Sequence, residues 1–161
     1  DLFYRDPDGF LYFAGRTDDR LRVDGENLAA AMIENILARW DAAAAVAVHA
    51  VPDPVTGDQV MAALALREGQ AFDPAAFAAF LRAQPDLGTK MAPRFVRIVE
   101  EMPVTATNKV HRVALRREGF RCPDPVWWDP AGEREYVPLD GEGLTGLLAR
   151  YAEHGTRPPG G

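Results

Sequence analysis

Two apolar runs set end to end constrain this chain most. AAVAVHAVPD (residues 44–53) and VMAALALRE (residues 60–68) flank PVTGDQ, a stretch built of turn-forming residues. The first reads as a buried strand. In the second, Val60, Ala62, Leu64 and Leu66 fall on alternate positions and so share one face. Helical patterns lie on either side. In LAAAMIENILARW (residues 28–40), Met32, Ile33, Ile36, Leu37 and Trp40 form one stripe, and Asn27 is placed as its N-cap. Asp73 and Pro74 supply an N-cap and first position for a second helix, whose inner face is Phe77, Phe80 and Leu81. A strand, RFVRIVE, follows at residues 94–100.

Before these elements, Asp6-Pro7-Asp8-Gly9 turns between two aromatic-rich strands, and Leu21–Val23 has the pattern of a short strand. After them come a polar loop to Asn108 and a short amphipathic segment to Arg117. A Pro-rich aromatic stretch from Glu118 reads as a docked arm. Leu144, Leu147, Leu148 and Tyr151 mark a last helix. The order strand, helix, strand, strand, helix, strand predicts a small α+β domain with helices on one face of a sheet.

Composition excludes several classes. A net charge of −6 and a pI of about 5.0 argue against nucleic acid, which selects a basic surface. The single cysteine, Cys122, rules out an internal disulfide and suits a reducing, cytoplasmic setting. No apolar run reaches the length of a transmembrane helix. His49, His111 and His154 have no metal-like spacing to one another or to Cys122, so no metal site is expected. Nucleophile-elbow, zincin and P-loop patterns do not occur. The chain opens inside a strand-like run without Met, which reads as part of something longer.

Two polar loops stand out, Gly15–Asn27 and Pro103–Lys109. The second contains a lysine in a chain with 16 arginines and only two lysines, Lys90 and Lys109. Both loops bear a resemblance. GRTDDRLRVDGENLAAAMIENIL resembles the segment that opens the C-terminal domain of the AMP-forming acyl-CoA synthetases. That segment has Gly-Arg-x-Asp-Asp, a short strand, a Gly loop and a helix with Ile-Glu, here Ile33-Glu34. PVTATNKVHRVAL resembles the family's last motif, Pro-x-Thr-x-x-Gly-Lys followed by basic residues and Leu. The two lie about 90 residues apart in the family's order. The resemblance covers about residues 1–120. GENL, EGF and REYVPL are similar to the very-long-chain acyl-CoA synthetase and fatty-acid-transport branch.

The resemblance implies a division of the chain. Residues 1–17 would end an N-terminal domain in a β-hairpin that leads to a hinge. Residues 18–120 would form the mobile C-terminal cap, and residues 121–161 an arm and helix. It implies a fatty acid–CoA ligase that uses ATP with Mg²⁺, bound mainly by an N-terminal adenylation domain, and coenzyme A. Lys109 would be the adenylation lysine. A point charge on a flexible stem reaches both the carboxylate and the phosphate better than a planar arginine fork. Asp18 matches the hinge, Arg16 a nucleotide-holding arginine, Gly25 a glycine beside which pantetheine passes, and Asp1 an aspartate on the ribose hydroxyls.

Two departures matter. Asn108 stands where the family has Gly. Asn27 stands where acetyl-CoA synthetases have a second phosphate-contacting arginine. Two rival readings remain: a non-catalytic interaction module of the same fold, and an acyl-AMP ligase that loads a carrier protein. Peripheral attachment at a membrane would be compatible with a fatty acid substrate.

Overall fold

The computed structural model describes residues 2–5, 7–15 and 19–160. These residues form thirteen elements, five of which are the strands of one sheet. A hairpin, β1 (Leu2–Arg5) and β2 (Leu11–Gly15), precedes a second hairpin, β3 (Arg20–Val23) and β4 (Glu26–Ala29), and helix α1 (Ala30–Leu37). The sheet strands are β5 (Ala43–Pro52), β6 (Asp58–Leu66), β7 (Phe95–Val99), β8 (Val126–Trp128) and β9 (Val137–Pro138), adjacent in that order. Helix α2 (Pro74–Arg82) connects β6 to the parallel β7, and every other pairing in the sheet is antiparallel. Such a parallel step needs a crossover of this length. Helices α3 (Arg112–Glu118) and α4 (Gly141–Glu153) complete the fold.

Helices cover both faces of the sheet, not the one face expected from the sequence. Val48, Val60, Ala62, Leu64 and Val96 pack against Ile33, Ile36 and Leu37 of α1 and Phe77 and Leu81 of α2. The opposite side chains of the same strands are also buried. Val51, Met61 and Phe95 meet Phe120 and, on α4, Leu147 and Tyr151. Ala47, Ala63 and Ala65 meet Leu115 of α3. The alternation Val-Ala-Val in β5 and Leu-Ala-Leu in β6 has a physical purpose. Large side chains fill the α1/α2 face, while alanines let α3 approach the strands closely.

Two local expectations change. The α1 helix starts later than its apolar stripe suggests, because Glu26–Ala29 pairs with Arg20–Val23 as a strand. Ala29 is then the N-cap, and Asn27 lies opposite Arg22 in the hairpin. The aromatic stretch after Glu118 adds β8 and β9 to the sheet edge, with Trp127 packed on one face and Trp128 on the other. Asp73, by contrast, caps α2 as read, accepting from Ala76 N at 3.0 Å with Pro74 behind it.

His49 on β5 is only 3% exposed, on the α3 side of the sheet. Its Nδ1 lies 3.2 Å from the Ala50 carbonyl oxygen, and its Nε2 has no hydrogen-bond partner among the described residues. Burial, reinforced by Arg97 of β7 and Arg116 and Arg112 of α3 and opposed by the Ala50 carbonyl, lowers its pKa from 6.5 to about 4. Between those values the unfolded chain binds a proton that the folded chain refuses. The His49 contribution is therefore complete above pH 6.5 and is lost as pH falls toward 4. The expected loss is of order 3 kcal/mol. Urea midpoints at pH 7 and pH 4.5 should differ less in His49→Leu than in the wild type. An unchanged difference would show that this histidine does not set the acid sensitivity.

Candidate functional site

Lys109 projects from a tight hairpin. Val104 and Val110 form an antiparallel bridge, and His111 N donates to Pro103 O at 2.8 Å. Within the loop, Asn108 N donates to Thr105 O at 2.9 Å and Thr105 N to Lys109 O at 2.7 Å. This is a β-turn followed by a residue in the left-handed region, and that residue is Asn108, at φ +60°. The family's glycine is thus replaced at the one position of the loop that demands positive φ. Asparagine is among the few other residues that accept it. Thr105 Oγ1 closes the loop further, 3.1 Å from Thr107 Oγ1 and accepting from Lys109 N at 3.3 Å. The backbone around Lys109 is well tied. Its side chain is exposed, and no hydrogen bond or ion pair holds it to any described residue.

The stem of this hairpin is anchored. Directly after it, α3 buries Leu115 against β5–β7. Arg112, the first residue of α3, donates to both carboxylate oxygens of Glu34 on α1, Nη2 lying 2.6 and 2.8 Å away and Nε 3.2 Å from Oε1. The same Glu34 oxygen accepts from Val48 N at 2.8 Å. Glu34, visible in the sequence only as half of an Ile-Glu motif, therefore joins α1, β5 and α3. At the other end of α3, Arg97 on β7 pairs with Glu118 at 2.7 Å and Asp124 at 2.6 Å.

Gly25 lies in the two-residue turn between β3 and β4, where Asp24 has φ +46° and Gly25 φ +81°. Both central residues at positive φ make this the turn that Asp-Gly favours. A Cβ at Gly25 would meet nothing within 4 Å, so the backbone conformation, not crowding within this chain, demands glycine. Lys90 braces the turn, its Nζ 3.0 Å from Glu26 Oε1 and 3.4 Å from Asp24 O. Beside it is a cleft of about 310 Å³, lined by residues that include Val23, Lys90, Arg94 and Asp129. Arg94 is already committed to the carbonyls of Asp129 and Pro130, at 2.9 and 3.1 Å.

The Gly25 turn and the lysine hairpin lie toward opposite ends of β3. Arg112 Nη1 is 3.9 Å from Asp19 Oδ2 at the start of β3, and Gly25 follows its end. An extended chain of that length spans roughly 15 Å. Asp1, Arg16 and Asp18 lie outside the described residues. Among the described residues, no group of His, Cys, Asp or Glu is arranged to hold a metal, and no helix is long and apolar enough to cross a membrane.

Residues 32–109 match the AMP-binding enzyme C-terminal domain family. The chain is 50% identical over 156 residues to a steroid-22-oyl-CoA synthetase of Rhodococcus jostii, covering 96% of this chain and 28% of that protein. It is 56% identical over 127 residues to the medium/long-chain-fatty-acid–CoA ligase FadD17 of Mycobacterium tuberculosis, covering 79% of this chain and 25% of that protein. Among solved structures it is similar to the amide bond synthetase McbA of Marinactinospora thermotolerans. That likeness has 33% identity and a TM-score of 0.60, and covers 71% of this chain and 23% of that one. The chain thus spans about a quarter of the length of the curated relatives it matches. The lysine hairpin therefore falls at the end of the matched segment, the Gly25 turn just before its start, and the chain belongs to the AMP-binding enzyme C-terminal domain family.

Proposed function

We propose that this chain is the C-terminal catalytic cap of an AMP-forming fatty acid–CoA ligase. The observation that bears most weight is the exposed ammonium of Lys109, without a partner among the described residues, on a hairpin whose backbone is held by four hydrogen bonds. A rigid stem with a free tip suits insertion into a site supplied by another domain. There, a carboxylate oxygen of the acid bonds to the α-phosphorus of ATP. The bond from that phosphorus to the bridging oxygen of the β-phosphate breaks, and pyrophosphate leaves. Lys109 stabilises the extra negative charge on the crowded phosphorus. In the second half-reaction the thiolate of coenzyme A bonds to the acyl carbon and AMP departs.

The second step needs a different face of the cap. Asp18 is the proposed hinge, Gly25 flanks the pantetheine, and Arg16 and Asp1 contact the nucleotide. The placement of Gly25 and Lys109 toward opposite ends of β3 supports such an alternation. Mg²⁺ belongs with ATP in the N-terminal adenylation domain, the cap's partner in the same polypeptide. The setting proposed is the cytoplasm, with peripheral contact to membranes that hold the fatty acid. The likeness to an amide bond synthetase favours a second reading, in which the acyl acceptor is not coenzyme A. Release of AMP that does not depend on added coenzyme A would move that reading ahead.

Three outcomes are expected. The chain by itself should fold cooperatively yet give little heat with ATP in calorimetry; micromolar affinity would refute the proposed division of labour. In the whole polypeptide, Lys109→Ala should slow pyrophosphate release by about 10²–10³ and nearly spare coenzyme A transfer from supplied acyl-adenylate. Normal adenylation by that variant would make the non-catalytic module the better reading. Asp18→Pro, which fixes φ, should impair one half-reaction far more than the other. Equal impairment in a folded protein would remove Asp18 from the hinge.

A further inference from the structure

We propose that Arg112 is a positioning residue for Lys109, and that it ties the lysine hairpin to α1 and to the residue that follows the hinge aspartate. The inference rests on the adenylation role proposed for Lys109.

Lys109 has no described partner of its own, so its direction is set by the stem of its hairpin. The stem has two ends. One continues from β7 through Met102, which is buried, and the other runs directly into α3. Only two residues, Val110 and His111, separate Lys109 from Arg112. The Arg112 guanidinium grips Glu34 side-on across 78 residues of sequence, Nε donating to Oε1 at 3.2 Å and Nη2 to Oε2 at 2.8 Å, with Nη2 also 2.6 Å from Oε1. The pair is not a surface decoration: the Glu34 side chain is 15% exposed and that of Arg112 32%. Glu34 is itself fixed by Val48 N on β5, which lies in the middle of the core. The contact thus refers the first turn of α3, and with it the hairpin, to a strand buried in the core. Two parallel charge-assisted bonds define an orientation as well as a distance, which a single ammonium contact does not.

The third prong points elsewhere. Arg112 Nη1 lies 3.9 Å from Asp19 Oδ2, within ion-pair range but beyond a hydrogen bond. Asp19 immediately follows Asp18. A backbone change at the hinge moves Asp19 relative to Arg112, and so strengthens or breaks this contact. The other groups around it are Arg20, His49 and Arg116, which with Asp19 and Arg112 line a small void beneath the contact. His49 is held neutral by its burial, so Asp19 is the acid there that hinge movement can bring toward or away from Arg112. The arrangement makes Arg112 the physical connection between hinge position and lysine presentation.

The test uses the whole polypeptide and the acid that the wild type adenylates fastest from a series of saturated fatty acids and steroid carboxylates. Pyrophosphate release and coenzyme A transfer from supplied acyl-adenylate are measured side by side, with unfolding midpoints, for Lys109→Ala, Arg112→Ala, Arg112→Lys, Glu34→Gln and the double variant Lys109→Ala/Arg112→Ala. Misplacing a catalytic group by about 1 Å costs about 10²-fold, so Arg112→Ala should slow pyrophosphate release about 10- to 100-fold. Transfer should stay within about twofold of wild type, since the hairpin has no part in that step. Glu34→Gln retains the acceptor for Val48 N but loses the charge, and should follow Arg112→Ala. Arg112→Lys should recover part of the rate. In the Lys109→Ala background, removing Arg112 should cost nothing more, because a group that acts through Lys109 has nothing left to position. Independent, multiplying losses in the double variant overturn the proposal, as does equal loss in both half-reactions with a lowered midpoint. If Lys109→Ala is impaired and Arg112→Ala is not, this inference alone fails. If Lys109→Ala adenylates normally, the reading of Lys109 fails and this one with it.

Discussion

Burial of β6 on both faces is the constraint on which the remaining structure depends. Every side chain from Val60 to Ala65 is buried, so neither face of this strand tolerates solvent. Two separate sets of cover are required. Helices α1 and α2 supply one, in which Phe77 and Leu81 pack over Ala62 and Leu64. The other comes from α3, Phe120 and α4, elements drawn from the last third of the chain. The conversion of buried apolar area into stability, about 25 cal/mol per Å², makes such two-sided cover the main source of cohesion. It also determines where the polar loops can go. With both faces occupied, the lysine hairpin and the Gly25 turn stay outside the core, exposed.

The second consequence concerns rigidity. The role proposed for Lys109, insertion into another domain's site, needs a stiff base and an unencumbered end. The base here is made of Leu115 in the core, the Glu34–Arg112 pair and the Arg97 contacts to Glu118 and Asp124. The end is Lys109 after Asn108. Glu34 has a dual part in this. Its carboxylate satisfies a backbone N–H of β5 and a guanidinium of α3 at once, which spreads its charge over two partners. The ion pairs on the open surface, such as Arg39 with Asp86, have both members about half exposed and contribute little by comparison.

Much of the fold could be read before any coordinates. Asp73-Pro74 specifies a helix start, and the strand runs on either side of Pro54–Gln59 specify the β5–β6 hairpin. These depend on φ preferences, side-chain capping and two-residue periodicity, all local properties that a linear chain displays. The two loop motifs were legible for a similar reason. Asn108 and Gly25 each answer a demand for positive φ at one position, and Lys109 stands out because the chain so rarely uses lysine.

What the tertiary structure decided was everything that joins distant residues. The stripe in residues 28–40 gave no sign that Glu26–Ala29 would pair with β3, because hairpin hydrogen bonds outcompete the first helical turn there. The apolar alternation in β6 could not reveal that the alanine face is covered as fully as the leucine face; that cover arrives from α3, some 50 residues later. Trp127 and Trp128 read as an aromatic arm until their backbone paired with Phe95 and Val96. Arg112 and Glu34 are unremarkable in their own segments and become a unit only when α1 and α3 meet over β5. Local sequence determines turns, caps and the chemistry available at a loop. Which loop is held, by what and against which neighbour follows from burial of the sheet on both faces, a property of the folded whole.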